Sequence, residues 1–217
     1  MHDMRQNFLS LILLGLLLFA VGCKDKNAST ATPTNDTVAL ADTTPPAEPD
    51  SVALIHLAQE ILNLSAQAKY AELVPYIHPT EGIRFSPYTY VDTKEHKHFT
   101  AAEFKDQVET HGKDKVLWGT SDPMGEPIKL TVANYFQEFA HSKDYVGGKL
   151  AFNETIGGGT TINNIAEVYP GALFVEAYWA PADEEKAPFE WGSARLVFRK
   201  HEGKFYLIAW VNDAWST

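Results

Sequence analysis

The chain has 217 residues, and its 28 acidic residues against 18 Lys and Arg give a formal net charge of −10. This charge disfavours a nucleic-acid partner, whose phosphates it would repel, and adsorption on an anionic membrane surface. Cys23 is the only cysteine, which excludes a disulfide within the chain. The sequence contains no G-x-S-x-G, H-E-x-x-H or C-x-x-C motif. Hydrolase and metal-enzyme interpretations therefore lose their usual support, and we expect no cofactor and no metal.

Residues 1–22 have the pattern of a secretory signal peptide. Phe8 to Val21 is almost wholly apolar. It is shorter than the roughly 20 residues of a membrane span and is typical of the apolar part of a signal. The segment ends in FAVGC, which resembles the lipobox of bacterial lipoproteins. That resemblance implies cleavage before Cys23 and attachment of lipid, such as palmitate, to that residue.

Lipidation is also the physically simplest role for Cys23. A catalytic thiol needs a base and a folded pocket, whereas Cys23 lies between a signal segment and a polar tail. Two or more acyl chains give stable anchoring where one does not. We therefore expect a lipoprotein anchored in the cell envelope, at the outer membrane or the cell surface.

Residues 23–49 form the lipidated cysteine and a Thr- and Pro-rich tether. Lys24 to Pro49 has no aromatic residue and no hydrophobic period. Such a segment cannot bury enough apolar surface to offset the entropy lost on folding, so we predict that it is disordered. The motifs DTV, DTT and DSV resemble the Asp-Ser/Thr-aliphatic sites that Bacteroidetes bacteria O-glycosylate. An unmodified stalk is the alternative.

Residues 50–217 are numerous enough for one domain with a substantial core. Apolar residues at helical spacing, and one Ser/Thr-x-x-Glu capping box, indicate helices in its first half. The predicted helices begin at a cap at Asp50 or Ser51, span Tyr70 to Ile77, follow the capping box Thr100–Glu103, and span Thr131 to His141.

The second half predicts strands. KLAFNET, NIAEVYP, ALFVEAYWAP, SARLVFRK and KFYLIAWVNDAW are short, alternating and rich in aromatic residues, and Gly-containing turns separate them. We therefore predict an α+β domain with N-terminal helices packed on one face of a curved antiparallel sheet.

The segment SAQAKYAELVPYIHPTEGIRF, residues 65–85, resembles the opening of cystatin-like, NTF2-type domains. HPTEGIRFSPYTYV, WGTSDPMGEPI, INNIAEVYPGALFVEAY and GKFYLIAWVNDAW together resemble an uncharacterised family of bacterial secreted lipoproteins. The resemblance implies a fold and no activity, because NTF2-type folds carry isomerases, dehydratases and plain binding modules alike.

The last three strands carry the main candidate site, centred on Glu176, Arg195, Asp213 and Trp215. Period-2 alternation predicts that these side chains share one face. On that face Asp213 is expected beside Leu207, Ala209 and Val211. The opposite face, packed on the helices, is expected to hold Leu173, Val175, Ala177 and Trp179. Two carboxylates and a guanidinium could orient a ligand or form an acid–base site, or they could be a structural ion pair.

Three further segments offer weaker candidates. His78 and Arg84 could form a polar lip over a cavity or simply belong to a loop after a helix. His96 and His98 could bind a metal on a strand, although a solvated loop is favoured because Lys residues flank them. The run IGGGTT is predicted to be a flexible hairpin or lid and lacks the Gly-Lys-Ser/Thr ending of a phosphate loop.

Two functions remain open at this point. The first is a non-enzymatic binding domain for a small molecule, a glycan or a protein, anchored to the membrane through lipid on Cys23. The alternative is an NTF2-type lyase or isomerase that uses a cavity carboxylate with a raised pKa. The binding function is favoured because an Arg beside Glu176 or Asp213 would lower its pKa.

Overall fold

The computed structural model describes residues 49–122, 124–183 and 185–214. The predicted signal peptide, the lipidation of Cys23 and the tether up to residue 48 lie outside these residues, and so does Trp215. Within the described ranges, no helix combines the length and apolarity that crossing a membrane requires.

The helices of the described residues are mostly short. They are α1 (Asp50–Ala66), a 3₁₀ helix (Tyr70–Tyr76), α2 (Ala101–Glu109), α3 (Val132–Tyr135) continuing into a π-helical turn (Phe136–Ala140), α4 (Ile165–Val168) and α5 (Ala187–Glu190). The capping box at Thr100 and Glu103 is confirmed by reciprocal side-chain bonds. Helix α1 differs from the prediction: its N-cap is Pro49, and no side chain caps it.

Six strands make the main sheet and two more make a separate hairpin. The strands are β1 (Ile83–Ser86), β2 (His98–Phe99), β3 (Val116–Thr120), β4 (Pro127–Leu130), β5 (Lys149–Phe152), β6 (Leu173–Trp179), β7 (Gly192–His201) and β8 (Lys204–Ala214). The main sheet has the order β2-β1-β8-β7-β6-β5, and β3 pairs with β4.

The sheet is mixed, which corrects the predicted antiparallel sheet. Strand β1 runs parallel to β8, while the other neighbours in the sheet are antiparallel. The bridge from Ile77 to Leu207 extends the same parallel alignment. This arrangement places β8 inside the sheet and buries Ile83 and Phe85 in the core.

The order of elements also differs from the prediction that the helices precede the strands. Strands β1 to β4 lie among the early helices, so the fold is α+β with interleaved elements. NIAEVYP was predicted as a strand and instead contains helix α4. A short apolar run does not distinguish a strand from a helical turn by its period alone.

Both faces of the sheet are covered. One face packs with α1, α2 and α3 in the larger core, which includes Val175, Ala177 and Trp210 and contacts Leu173 and Trp179, as the alternation predicts. The other face carries a smaller cluster that includes Ile165 of α4 together with Ala209 and Val211. The burial of both faces explains why β7 is buried from Gly192 to Phe198 without a break.

A β-bulge in β8 changes one predicted face. Val197 pairs with Ala209 and Phe198 pairs with Leu207, so Ile208 is the extra residue. An extra residue shifts the alternation by one position. Leu207 therefore lies in the larger core rather than beside Asp213, while Ala209 and Val211 keep the predicted face.

Candidate functional site

Glu176, Arg195 and Asp213 meet on the predicted face of the sheet. Glu176 lies on β6, Arg195 on β7 and Asp213 near the end of β8. Glu176 and Arg195 are directly paired across β6 and β7. Nη2 of Arg195 lies 3.1 Å from Oε1 of Glu176 and 2.9 Å from Oδ2 of Asp213. The side chains of Glu176 and Arg195 are essentially inaccessible to solvent, and Asp213 is 11% exposed. One guanidinium thus joins the carboxyl groups of two neighbouring strands.

A glycine-rich segment, residues 154–161, covers this cluster, and we call it the strap. The backbone N–H groups of Ile156 and Gly157 donate to the carboxylate of Glu176. In return, Nη2 of Arg195 donates to the carbonyl oxygen of Gly157 at 2.9 Å. The run IGGGTT is therefore fastened to the buried ions in this structure, where a flexible hairpin or lid was predicted.

Of the other polar atoms in and around the cluster, some are hydrogen-bonded and some are not. Nη1 of Arg195 donates to Oγ1 of Thr89 at 2.5 Å. Nε of Arg195 and Oγ of Ser193 are buried without a hydrogen-bond partner in the described part of the chain.

Burial raises the pKa of Asp213 and outweighs the charge of Arg195, which acts in the opposite direction. Arg195 lowers the pKa of Asp213, as expected of an Arg neighbour, but desolvation is the larger effect and the net direction is upward.

A cavity of about 210 Å³ adjoins the cluster on the side of Asp213, and we call it the Asp213 cavity. Its walls combine aromatic, hydroxyl, amide and acidic side chains, including Tyr88, Thr89, Asp122, Glu138, Phe139 and Asp213. Glu176 and Arg195 do not line it. Asp213 is thus the one member of the cluster that a ligand in this cavity could touch.

We expect Gly157→Ala to displace the strap. A Cβ atom at Gly157 would lie 2.5 Å from Oγ of Ser193 and 2.7 Å from the ring of Trp191, closer than real contacts allow. Overpacking of this kind costs about 1–3 kcal/mol of unfolding free energy. Gly158→Ala is the matched control, because a Cβ there meets no atom within 4 Å. Thermal unfolding and amide exchange of the strap should separate the two variants, and equal behaviour would contradict the fastened strap.

His78 and Arg84 lie apart from the Asp213 cavity, which neither of them lines. Nδ1 of the buried His78 accepts from the backbone N–H of Glu81 at 3.0 Å, and its ring contacts His201 at 5.1 Å between centroids. Nη1 of Arg84 donates to the carbonyl oxygen of His96 at 2.7 Å. His78 thus belongs to the ordered turn after the 3₁₀ helix and Arg84 to strand β1, and they do not form the predicted lip over this cavity.

His96 and His98 serve different structural roles. His96 is buried, where a solvated loop was expected; its Nδ1 lies 2.8 Å from Oγ of Ser86, and burial lowers its pKa. Nε2 of His98 lies 2.6 Å from the carbonyl oxygen of Glu81. Among the residues that the structure describes, no group of three or more His, Cys, Asp or Glu is placed to hold a metal ion.

A Ser–His pair was missed by the sequence analysis. Oγ of Ser65 lies 2.5 Å from Nε2 of His141, beside a second cavity of about 290 Å³. Oγ of Ser65 also lies 2.9 Å from the carbonyl oxygen of Leu62, so its single hydroxyl proton has two acceptors within reach, and the donor in the pair with His141 depends on the tautomer of the imidazole. No spacing in the sequence links residues 65 and 141.

Comparisons with known proteins add no functional assignment to this geometry. No protein-family model matches the chain, and neither a curated protein nor a solved structure matches it.

Proposed function

We propose that this protein is a lipid-anchored protein of the cell envelope whose folded domain binds a ligand in the Asp213 cavity without chemical turnover. The domain is proposed to belong to the cystatin-like, NTF2-type group, as the sequence resemblance implies. The helices α1 and α3 packed on one face of a β-sheet are compatible with that group.

One observation carries the binding function. The buried pair of Glu176 and Arg195 holds Asp213 in a fixed position, and Asp213 alone reaches the cavity wall. A carboxylate held by a buried guanidinium is pre-oriented, so binding a ligand there requires little ordering of the side chain. Aromatic side chains with a few fixed polar groups are the usual lining of a ligand site.

The test is untargeted mass spectrometry of molecules that co-purify with the mature protein. We expect the native protein to carry a ligand that Asp213→Asn loses or binds at least tenfold more weakly. Asp106→Asn, which removes an exposed carboxylate from α2, is the control and should keep the ligand. Retention of the same ligand by Asp213→Asn would contradict the proposed site.

The raised pKa of Asp213 favours one second function, that of an NTF2-type lyase or isomerase acting on a small molecule. A cavity carboxylate with a raised pKa is the general base or acid that such chemistry needs. The charge of Arg195, 2.9 Å away, opposes this role because it stabilises the ionised form. Turnover of a co-purifying ligand by the native protein, lost in Asp213→Asn, would favour the enzyme over the binding protein.

A separate prediction concerns the lipid on Cys23. The native protein should incorporate an alkyne fatty acid during growth, and Cys23→Ser should not, because Cys23 is the only thiol in the chain. Loss of two or more acyl chains should move the protein from the membrane to the soluble fraction. An unlabelled native protein would contradict lipidation, and Ser10→Ala, within the apolar segment, serves as the control that should remain labelled.

A further inference from the structure

The Asp213 cavity opens into a longer surface feature. Another cavity, of about 360 Å³ and distinct from the one beside Ser65 and His141, shares Tyr88, Asp122 and Thr161 with the Asp213 cavity. The Asp213 cavity and this one therefore adjoin each other. We call the two together the acidic groove. Its walls come from loops and element ends, including the segment that contains Tyr88 and the strap residue Thr161.

The charge of the groove is of one sign. Asp122, Glu138 and Asp213 line the first cavity, and Asp92 and Glu95 line the second with Asp122, while no Lys or Arg lines either. In the described part of the chain, Lys and Arg form ion pairs with none of these acids except Asp213. Walls of low dielectric constant with one sign of charge concentrate the field and attract cations.

Three exposed apolar side chains belong to the segments that line the groove, and we call them the rim. Tyr90 lines the second cavity and is 50% exposed. Met124 and Ile162, which are 75% and 71% exposed, are the chain neighbours of the groove residues Gly125 and Thr161. These are half of the exposed large hydrophobic side chains in the described residues. Exposed apolar side chains beside a charged groove offer a partner apolar surface to cover.

We propose that the acidic groove docks a segment of another protein that alternates Lys or Arg with large apolar residues. This inference rests on the proposed binding function and names its partner. The cationic side chains would lie against the carboxylates of Asp122 and Glu138, and the apolar ones would cover Met124 and Ile162.

The acidic lining and the apolar rim together favour a basic segment with apolar residues over a second copy of this chain and over a linear polyamine. A second copy of this chain carries a net charge of −10 and would be repelled by the groove. A linear polyamine satisfies the carboxylates but leaves the rim exposed, because it brings no large apolar group. A basic segment with apolar residues covers both features.

The test is a titration of the full protein with synthetic probes, followed by fluorescence anisotropy. The main probe is a peptide alternating Lys and Leu, and its relatives replace Lys by Glu or Leu by Ser. Spermine is the small-cation probe. Each is measured on the native protein, on a groove variant (Asp122→Asn with Glu138→Gln) and on a rim variant (Met124→Ser with Ile162→Ser). Glu72→Gln with Glu109→Gln is the control, because it removes the same charge from exposed positions outside the groove.

We expect the Lys–Leu peptide to bind the native and control proteins alike, more weakly at higher salt. The groove and rim variants should each weaken it by roughly fivefold or more. Equal binding of the Glu–Leu peptide, or equal affinity for all variants, overturns the proposal. Spermine binding as tightly as the peptide, with no effect of the rim variant, also overturns it in favour of a small cation. Loss of the peptide interaction alone refutes this inference. Retention of the co-purified ligand by Asp213→Asn refutes the proposed function instead.

Discussion

Arg195→Ala is expected to lower the free energy of unfolding by about 3–5 kcal/mol, the cost of removing one partner from a buried ion pair. The substitution leaves the carboxylate of Glu176 without a counter-charge at a position that solvent does not reach. It also removes the donor to the carbonyl of Gly157, so the strap loses one of its fastenings. Chemical denaturation of the folded domain measures the loss.

Two further variants keep this prediction testable if Arg195→Ala does not fold. Arg199→Ala removes an arginine whose partner, Glu81, is 36% exposed, and it should cost about 1 kcal/mol or less. Arg195→Met with Glu176→Leu removes the fully buried ion pair and should recover part of the stability, because apolar residues of similar volume replace such pairs well. The recovery is incomplete because Asp213 and the N–H groups of Ile156 and Gly157 lose their partners. Equal losses for Arg195→Ala and Arg199→Ala would contradict the buried ion pair as the main stabilising feature here.

Stability should also fall in acid, and His141 is expected to be the largest single histidine contribution. Burial lowers its pKa from 6.5 to about 4. A group with a lowered pKa in the folded state binds its proton first in the unfolded state. Stability is therefore full above pH 6.5 and is lost as the pH falls from 6.5 towards 4. The shift corresponds to about 3 kcal/mol, at 1.36 kcal/mol for each pKa unit.

The comparison of His141→Phe with the native protein isolates this effect. The variant should lose most of the pH dependence between pH 6.5 and 4. A residual slope is expected because burial also lowers the pKa of His78 and His96. His111→Gln, at a side chain that is 48% exposed, is the control and should keep the native slope. An unchanged slope in His141→Phe would refute the assignment.

The candidate cluster is the part of the site that sequence reasoning predicts well. Glu176, Arg195 and Asp213 lie on three consecutive strands of the chain, and antiparallel neighbours with a period of two bring their side chains to one face. Their register depends on short turns, as between β7 and β8, where Glu202 and Gly203 take positive φ values of 48° and 82°. A single bulge was enough to misplace Leu207, since one inserted residue inverts the alternation beyond it.

Other parts of the site have no local signal. Ser65 and His141 meet across 76 positions of the chain, and the strap reaches Glu176 through backbone N–H groups, which carry no side-chain signal in the sequence. Strands β1 and β2 are too short to show a period. Their place in the sheet follows from the need to cover the free edge of β8 and to bury Phe85.

The sequence by itself determined the features that depend on neighbouring residues: the capping box at Thr100, the strands β6 to β8, and the grouping of the charged side chains on one face. Only the tertiary structure decided the features that depend on distant contacts. Helix α4 is the clearest case, because the side chain of Asn164 bonds to both the N–H and the carbonyl of Val91, as a strand neighbour would. That contact satisfies the backbone of Val91 and seats Ile165 in the smaller core. A buried backbone group needs a hydrogen-bond partner, and the local sequence pattern does not indicate which distant residue supplies it.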